Sequence, residues 1–388
     1  MPSPSQPTGA PGGATRWPGL PDADRRVLRE LLLYGAQSRV RLAERVGLSR
    51  TSLTRIAREL VDRGLVEEGE VQLLPTRGRP AEMLHLRPEA AHFVGLKLTG
   101  DDAYVVLTDL AAQIVAESSA PLASREVDDV VALSAGLVAE ITRGVDTVAA
   151  AGVAVAGDVA MRGGRAILER SGFLGWDSVP LAELVTAATG LSTTVVNDVH
   201  ALTGAHHWFG GLGPHRSLVV YGVGAGIGRG VVLGDELLVG EYGRAGRIGH
   251  LRIEGSGRPC PNGHHDCVHS FVTMPSIEWN AGVEPGEYEL ALARARDGEP
   301  VAAGAFRQAA FALGATIADS INAFDPEIVS VMGEGVDMLA LAPEQVDRAL
   351  EEYIELGDPG AVRLETPPFH FDLYARGGAV AAMRELLS

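Results

Sequence analysis

A glycine-dense turn between two apolar segments, within residues 217–233, is the feature that most constrains the fold. The apolar run Ser217–Tyr221 leads into glycines at positions 222, 224, 226 and 228, and the chain then continues with Val231 and Val232. Glycine lets backbone N–H groups approach a bound group closely, as in turns that hold phosphate. The pattern predicts a strand, a tight turn and a second strand, although such a turn alone is weak evidence for any one function.

Metal-ligating residue types are concentrated just downstream. Residues 250–269 contain the only two cysteines, Cys260 and Cys267, and four of the eleven histidines. Two cysteines seven positions apart do not make a disulfide framework, whereas histidines beside them favour a metal site. The alternative is a metal-free loop with two buried thiols.

Composition indicates an ordinary globular protein with one locally basic part. The 388 residues suffice for two or three domains, and 46% hydrophobic and 21% charged residues are typical values. With no run of eighteen apolar residues and no signal-peptide pattern, we expect a cytoplasmic protein without membrane association. The net charge of −17 argues against nucleic-acid binding by the whole surface, but residues 22–89 hold 13 arginines against 11 acidic residues.

The N-terminal part has the pattern of a winged helix-turn-helix. Residues 1–20, rich in Pro, Gly, Ser and Thr, predict a disordered tail, and residues 21–90 predict a DNA-binding domain. Apolar spacing predicts a helix from Asp22, a second ending at Gly47, and a third over Arg50–Arg63 that Ser49 caps. Short strands at 65–66 and 71–74 would form the wing.

The outward side of the third helix carries hydroxyls and arginines that suit base edges and phosphates. The predicted DNA contacts are Ser49, Arg50, Thr51, Ser52, Thr54, Arg55 and Arg58. Arg77 and Arg79 after the wing fit a minor groove, where negative potential attracts arginine. The alternatives are a protein-binding three-helix module and, for Arg77 and Arg79, a basic linker.

From residue 91 the chain alternates between strands and helices, which predicts an α/β domain with two sheets and a cleft over residues 91–388. Predicted strands are 93–98, 103–109, 114–118, 148–156, 193–196 and 328–332, and predicted helices are 128–143, 181–189, 199–209 and 301–323.

Several motifs in this part resemble those of the ROK family, named for repressors, open reading frames and sugar kinases. They are Gly152–Gly157, Leu174–Trp176, Asn197–Asp198, Gly224–Gly230, Ala245–His250, the cysteine segment and Asp325–Pro326. The resemblance covers residues 93–388 and implies a two-lobed, actin-like fold of the ribonuclease-H type. A winged helix in front implies the repressor branch of the family.

The first strand departs from the pattern of the family's kinases. Where the family has an Asp-x-Gly-Gly-Thr turn for Mg-ATP, this chain has Lys97-Leu98-Thr99-Gly100-Asp101. A cation replaces the carboxylate that would anchor the metal, so ATP-dependent phosphotransfer is not expected. Lys97, the only lysine, would hold an anion or pair with Asp101 or Asp109.

The resemblance also implies an effector site in the cleft. By position Asp198 matches the family's catalytic base and Asn197 a hydroxyl contact, although the pair would equally cap the following helix. Arg247 stands where the family has Glu, and it would either hold an acidic sugar derivative or pair with Asp198. The predicted effector contacts are Phe173, Asn197, Asp198, Arg247, His250 and His269.

The family's zinc site uses the motif histidine and three cysteines, and this chain has Asn262 where the middle cysteine belongs. His264 or His265 would supply the fourth ligand that a closed tetrahedral site needs. The predicted set is His250, Cys260, Cys267 and His265, with zinc as the cofactor.

These features predict a transcriptional regulator, most simply a repressor, that binds double-stranded operator DNA as a homodimer or a tetramer of two dimers. A sugar or sugar-like effector, including an acidic one, would control it from the cleft. The alternatives are an ATP-dependent sugar kinase with an appended DNA-binding domain, and a regulator that has lost sugar sensing.

Overall fold

The computed structural model describes residue 17 and residues 19–72, 81–211, 215–253, 257–355 and 362–388. The strands in these ranges form two three-stranded and two five-stranded sheets. Apart from Trp17, Gly19 and Leu20, the predicted N-terminal tail lies outside the described residues.

The N-terminal unit is a winged helix. Its elements are α1 (Asp22–Tyr34), β1 (Gln37–Ser38), α2 (Arg39–Val46), α3 (Arg50–Asp62), β2 (Val66–Gln72) and β3 (Ala81–Leu86), with strand order β1-β3-β2. The hydroxyls of Ser38 and Ser49 cap α2 and α3, and Gly47 ends α2 in the left-handed region at φ 67°. These local signals produce the turn between α2 and α3.

The predicted wing strands were wrong in detail. One strand, β2, runs through the polar stretch predicted to be a turn, and it pairs with β3 beyond residue 80. The pairing is irregular between Glu68 and Val71, and a Cβ on Gly69 would lie 2.3 Å from the His85 ring. A β-bulge at a glycine therefore carries the strand across this stretch.

The first lobe is built on a mixed sheet. Its elements are β4 (His92–Leu98), β5 (Asp102–Asp109), β6 (Ile114–Pro121), α4 (Val127–Ile141), β7 (Val148–Val155), β8 (Asp158–Arg162), β9 (Arg165–Ser171), β10 (Trp176–Val179), α5 (Leu181–Thr189), β11 (Thr193–Asn197) and α6 (Asp198–Phe209). The main sheet has the order β11-β7-β4-β5-β6, and β8 to β10 form a separate antiparallel sheet.

The second lobe repeats this plan. Its elements are β12 (Ser217–Val223), β13 (Ile227–Leu233), β14 (Glu236–Leu237), α7 (Val268–Val272), α8 (Met274–Ala281), α9 (Tyr288–Arg296), α10 (Pro300–Phe324), β15 (Ile328–Met332), α11 (Met338–Leu341), α12 (Pro343–Tyr353) and β16 (Arg363–Glu365). The chain then ends in helix α13 (Asp372–Leu387). The sheet order is β14-β13-β12-β15-β16, and the predicted hairpin joins β12 to β13.

The C-terminal helix α13 returns to the first lobe and lies directly on its sheet. Cβ atoms added to Gly95 and Gly152 would lie 1.9 Å from the carbonyl oxygens of Ala375 and Gly378. Glycine at these strand positions is therefore what lets helix and sheet backbones meet.

The same helix joins the first lobe to the winged helix. Val380, Met383 and Leu387 belong to one buried cluster with Leu28 and Leu31 of α1. Trp17 lies in this cluster as well, with its ring centroid 6.0 Å from that of Phe93 on β4. The winged helix and the first lobe therefore share a hydrophobic core.

The helix α10 is the one candidate membrane span found among the described residues, on length and mean hydropathy of 1.3 alone. Of its apolar window, 61% is buried inside the protein, and its residues belong to the core of the second lobe. Burial of this extent is that of a core helix.

The prediction of an α/β architecture with two sheets behind a winged helix is confirmed. The bounds of α5 and β15 are those predicted, and α10 begins and ends one residue outside its prediction. The elements that were not predicted are the strands β1, β3, β14 and β16, the small sheet of β8 to β10, and the helices α7, α8, α9, α11, α12 and α13.

Candidate functional sites

The outer face of α3 is exposed and basic. Arg50, Arg55 and Arg58 are exposed, as are Thr51 and Thr54, while Leu53, Ile56 and Leu60 face the core. Among the described residues Arg50 and Arg58 have no ion-pair partner, so their guanidinium groups are available to an external anion.

Other predicted contacts on this helix already have local partners. The Ser49 hydroxyl accepts the backbone N–H of Ser52 at 3.1 Å, and the Thr54 hydroxyl donates to the carbonyl of Arg50 at 2.8 Å. Arg55 pairs with Glu59 at 2.6 Å across an exposed helix turn. Their contact with DNA stays a prediction; Arg77 and Arg79 lie outside the described residues.

A buried ion pair lies at the ends of β4 and β11 in the first lobe. Lys97 Nζ donates to Asp198 Oδ2 at 2.5 Å, with side chains 4% and 15% exposed. The ammonium also lies 4.7 Å from the ring centroid of Tyr374 on α13. Both charged groups are largely removed from water, so removal of either one would leave the other buried without a counter-charge.

The expected partners of Lys97 were therefore wrong. Asp101 pairs with Arg125 at 2.9 Å, and Asp109 accepts the backbone N–H of Gln113 at 2.8 Å. Lys97 reaches a carboxylate 101 positions away because β4 and β11 flank β7 and end at the same sheet edge.

Glu334, after β15 in the second lobe, faces the glycine turn. Its Oε2 lies 2.5 Å from where a Cβ on Gly224 would be. Burial raises the pKa of this carboxyl, and the nearby charge of Asp198 acts in the same direction. Glu334 was not among the predicted site residues.

Asn197 has a structural role at the start of α6. Its side-chain oxygen accepts the backbone N–H groups of Val199 and His200 at 3.0 and 3.2 Å, and its amide donates to the carbonyl of Gly157 at 3.0 Å. The helix cap weighed as an alternative is thus present, and it also ties α6 to the residue before β8.

Arg247 pairs with Asp158 and not with Asp198 as one alternative held. Asp158 is 9% exposed and accepts from Arg247, while Arg244 lies 3.5 Å from its other oxygen. The two arginine side chains are 62% and 51% exposed. Two cationic side chains therefore share one carboxylate and remain largely exposed. Asp158 and Arg244 were not among the predicted site residues.

The segment that carries Arg244 and Arg247 is held beside the start of α6. The ring nitrogen Nε2 of His200 lies 3.0 Å from the carbonyl oxygen of Ala245, and burial lowers the pKa of His200. Phe173 lies at another edge, where its carbonyl oxygen is 3.0 Å from a Cβ built on Gly100, and 48% of the residue is exposed.

Four potential metal ligands meet in the loop after Arg247. The ligand atoms of His250, Cys260, His264 and Cys267 all lie within 4.8 Å of one another. His250 Nδ1 is 3.6 Å from Cys260 Sγ and 3.7 Å from Cys267 Sγ. The Nε2 atom of His264 is buried without a hydrogen-bond partner in the described structure.

The fourth side chain in this cluster is His264, whereas the predicted set named His265. His265 is exposed and its backbone bridges to Pro259 in an antiparallel pair, which points the two neighbours in different directions. His269 stacks on His250 with ring centroids 5.8 Å apart and planes at 18°. Burial lowers the pKa of His269, and the positive charges of His250 and His264 act the same way.

Comparisons with known proteins agree with these features. A model described as the ROK family matches residues 93–382, and one described as a winged helix-turn-helix DNA-binding domain matches residues 20–67. The DNA-binding transcriptional dual regulator NagC of Escherichia coli K12 is 25% identical over 382 residues, covering 93% of this chain and 92% of that protein.

A glucokinase of Streptomyces coelicolor is 30% identical over 203 residues, covering 47% of this chain and 64% of that protein. The solved structure of a ROK family transcriptional regulator, a homolog of the E. coli MLC protein, matches with a TM-score of 0.80 at 24% identity. That match covers 94% of this chain and 96% of the other, and it supports the fold.

Proposed function

This chain belongs to the ROK family, and on that premise we propose that it is a DNA-binding transcriptional regulator, acting as a repressor, with a sugar-like effector in its cleft. The proposal rests on one observation: the winged helix, whose α3 has an exposed arginine face, shares a hydrophobic core with the two-lobed α/β domain. A contact face for DNA and a cleft for a small molecule are then mechanically connected.

The α3 face supports operator binding. The first turn of α3 presents backbone N–H groups and the positive end of the helix dipole, and Arg50, Arg55 and Arg58 add charge beside it. We assign Ser49, Arg50, Thr51, Ser52, Thr54, Arg55 and Arg58 to this interface, with Arg77 and Arg79 extending it.

The buried pair in the cleft argues against catalysis. A catalytic base must accept a proton from its substrate, but Asp198 already accepts a hydrogen bond from a buried ammonium. Glu334 beside Gly224 adds a carboxylate where the glycine turn would face phosphates. We therefore propose a binding protein and not an enzyme.

The effector is proposed to be an acidic sugar derivative. The exposed arginine pair at Asp158 offers a planar cation that matches a carboxylate or phosphate. Asn197 and Asp198 would bind hydroxyls on the same ligand, with His250, His269 and Phe173 around them. Effector binding would favour one arrangement of the lobes and so change the placement of α3.

Two alternatives rest on specific observations. Retention of Asp198 at the first turn of α6 favours a sugar kinase with a DNA-binding domain. Asp198, Asn197 and Arg247 are already bound by other groups of the same chain, which favours a regulator that has lost sugar sensing.

The remaining assignments follow from the same proposal. We divide the chain into residues 1–20, a DNA-binding domain at 21–90 and an effector and dimerisation domain at 91–388. A cytoplasmic homodimer or tetramer is proposed because paired half-sites supply operator specificity that one winged helix lacks.

We also propose that the cluster of His250, Cys260, His264 and Cys267 binds zinc. In a tetrahedral site, Zn–S bonds of about 2.3 Å and Zn–N bonds of about 2.0–2.1 Å place N and S about 3.5 Å apart. The distances from His250 Nδ1 to the two sulfurs, 3.6 and 3.7 Å, fit that geometry. Bound zinc would fix the loop that carries Arg247.

DNA binding is tested by selecting duplexes from a random library with the full chain. The selected duplex should bind R55A about 10-fold more weakly at physiological salt, since a specific arginine contact contributes about 1–3 kcal/mol. R348A, which removes an exposed arginine of α12, is the control and should bind like the wild type. Failure to enrich any sequence would refute the operator proposal.

Effector binding is tested by calorimetry against neutral and acidic hexoses, with release of the selected duplex as a second measurement. An acidic sugar should bind and promote release, and R247A should lose that binding. Sugar-dependent ATP consumption would instead establish the kinase alternative, and absence of heat with every sugar would favour the regulator without sensing.

A further inference from the structure

Asn262 occupies the position where the family pattern has a metal-binding cysteine, and its side chain contacts a ligand of the proposed metal centre. Its Nδ2 atom lies 2.8 Å from His250 Nε2, while His250 Nδ1 faces the two sulfurs. We propose that Asn262 is a positioning residue that orients His250, and that His264 takes the ligand place that Asn262 leaves open. This inference rests on the metal centre proposed above.

The two ring nitrogens of His250 have separate partners, and that separation defines which one binds metal. Nδ1 lies within 3.7 Å of both cysteine sulfurs, and Nε2 is engaged on the opposite edge by Asn262. A metal-ligating imidazole carries its proton on the other nitrogen and donates it to an outer partner, which sets the ring orientation. His250 therefore binds through Nδ1.

An asparagine can serve as this partner with or without metal. With the proton on Nδ1, the Asn262 amide donates to Nε2; with metal on Nδ1, Nε2 carries the proton and the amide must present its oxygen. A half-turn of the terminal amide exchanges these atoms at nearly the same place. The same contact thus holds the ring in both states.

A second contact fixes the face of the His250 ring. The His269 ring lies nearly parallel at 18° with centroids 5.8 Å apart, and its backbone N–H donates to the carbonyl of Gly249 at 2.7 Å. Edge and face are both held, so the ring cannot turn its Nδ1 away from the sulfurs without breaking one contact.

His264 completes the donor set. Its Nε2 is buried without a hydrogen-bond partner among the described residues. One of its two ring nitrogens lies within 4.8 Å of the ligand atoms of the other three residues. A buried, unpartnered nitrogen is costly unless something binds it. Two thiolates and two neutral imidazoles around a divalent ion give zero net charge, whereas the three-cysteine pattern leaves one negative charge.

The inference is tested by titrating the metal-free full chain with Co²⁺, whose absorption reports ligand type and geometry. Wild type should show sulfur-to-cobalt bands and intense tetrahedral d–d bands. N262A should bind Co²⁺ and Zn²⁺ about 10- to 100-fold more weakly, which is the usual loss of an outer-shell partner. N262D, whose carboxylate accepts from Nε2, should recover affinity while leaving the ligand set unchanged.

Adjacent histidines provide matched variants for the ligand assignment. H264A should lose the tetrahedral d–d intensity, and H265A should match the wild type in spectrum and affinity. Wild-type affinity in N262A would overturn the role of Asn262 while leaving the metal centre standing. Loss of the spectrum in H265A instead of H264A would overturn the ligand assignment, and no Co²⁺ or Zn²⁺ binding by wild type would refute the metal centre itself.

Discussion

The proposed effector site and the outer face of α3 use the same kinds of charge in opposite ways. In the proposed effector site, Lys97 and Arg247 are each engaged by a carboxylate of the protein, and Lys97 is buried with its partner. On α3, Arg50 and Arg58 are exposed without an ion-pair partner among the described residues. Arg55 has only a surface pair with Glu59.

The arginines on α3 can therefore bind an external anion directly, whereas Lys97 and Asp198 are already bound to each other. A free surface arginine can bind phosphate while losing only its hydration, whereas Asp198 must first give up a buried ion pair. The comparison gives a physical reason why, in the function proposed here, α3 would bind nucleic acid while Asp198 would not act as a base.

The largest expected effect comes from removing the buried cation. K97M leaves Asp198 desolvated without a counter-charge, so the free energy of unfolding should fall by about 3 kcal/mol. The double variant K97M/D198N should recover most of this loss, because a neutral amide needs no counter-ion. Urea unfolding measures both.

The exposed pair of Arg125 with Asp101 is the control for that experiment. D101N, which removes the exposed carboxylate of that pair, should cost less than about 1 kcal/mol, as is usual for surface pairs. A K97M variant as stable as the wild type would show that the buried pair contributes no more to the free energy of unfolding than a surface pair does.

A smaller effect is expected from pH, through Glu334. Burial raises its folded pKa above the unfolded value of 4.5. The folded state thus binds the proton more tightly, so its contribution to stability is present below pH 4.5 and is lost as pH rises through the folded pKa. Relative to wild type, E334Q should lose less stability between pH 4.5 and 7 in urea unfolding. Parallel stability curves would contradict burial of this carboxyl.

The smallest expected effect is on α3. E59Q releases Arg55 from its surface pair, which contributes about 0.2–1 kcal/mol, so affinity for the selected duplex should rise by about 1.4- to 5-fold. Fluorescence anisotropy at two salt concentrations measures it. E89Q, which removes the exposed partner of Arg87 outside α3, is the control for losing one negative charge. Equal gains in both variants would assign the effect to net charge alone.

Local signals in the sequence predicted much of the fold. Ser49 and Gly47 define the helix-turn-helix through capping and a left-handed turn, which depend on neighbouring residues only. Continuous apolar runs predicted β12 and β15 for the same reason. The wing failed because Gly69 allowed a bulge where a polar stretch suggested a turn.

For the proposed effector site, the sequence indicated which positions belong to it but not which side chains pair with each other. Asp198 lies 101 residues from Lys97, and Asp158 lies 89 residues from Arg247, so the sheet arrangement decides these pairings. His264 and His265 are equivalent by spacing, and the bridge between His265 and Pro259 distinguishes them. Arg77 and Arg79 lie outside the described residues, so their contacts stay predictions.

Because the chain has a single lysine and that lysine is buried, its side-chain amine chemistry is confined to one place. Reagents that acylate amines should modify Lys97 slowly in the folded protein, because its ammonium is buried against Asp198 and Tyr374, and faster when that packing opens. The rate of that modification would then measure how often the packing around Lys97 opens, without any engineered label.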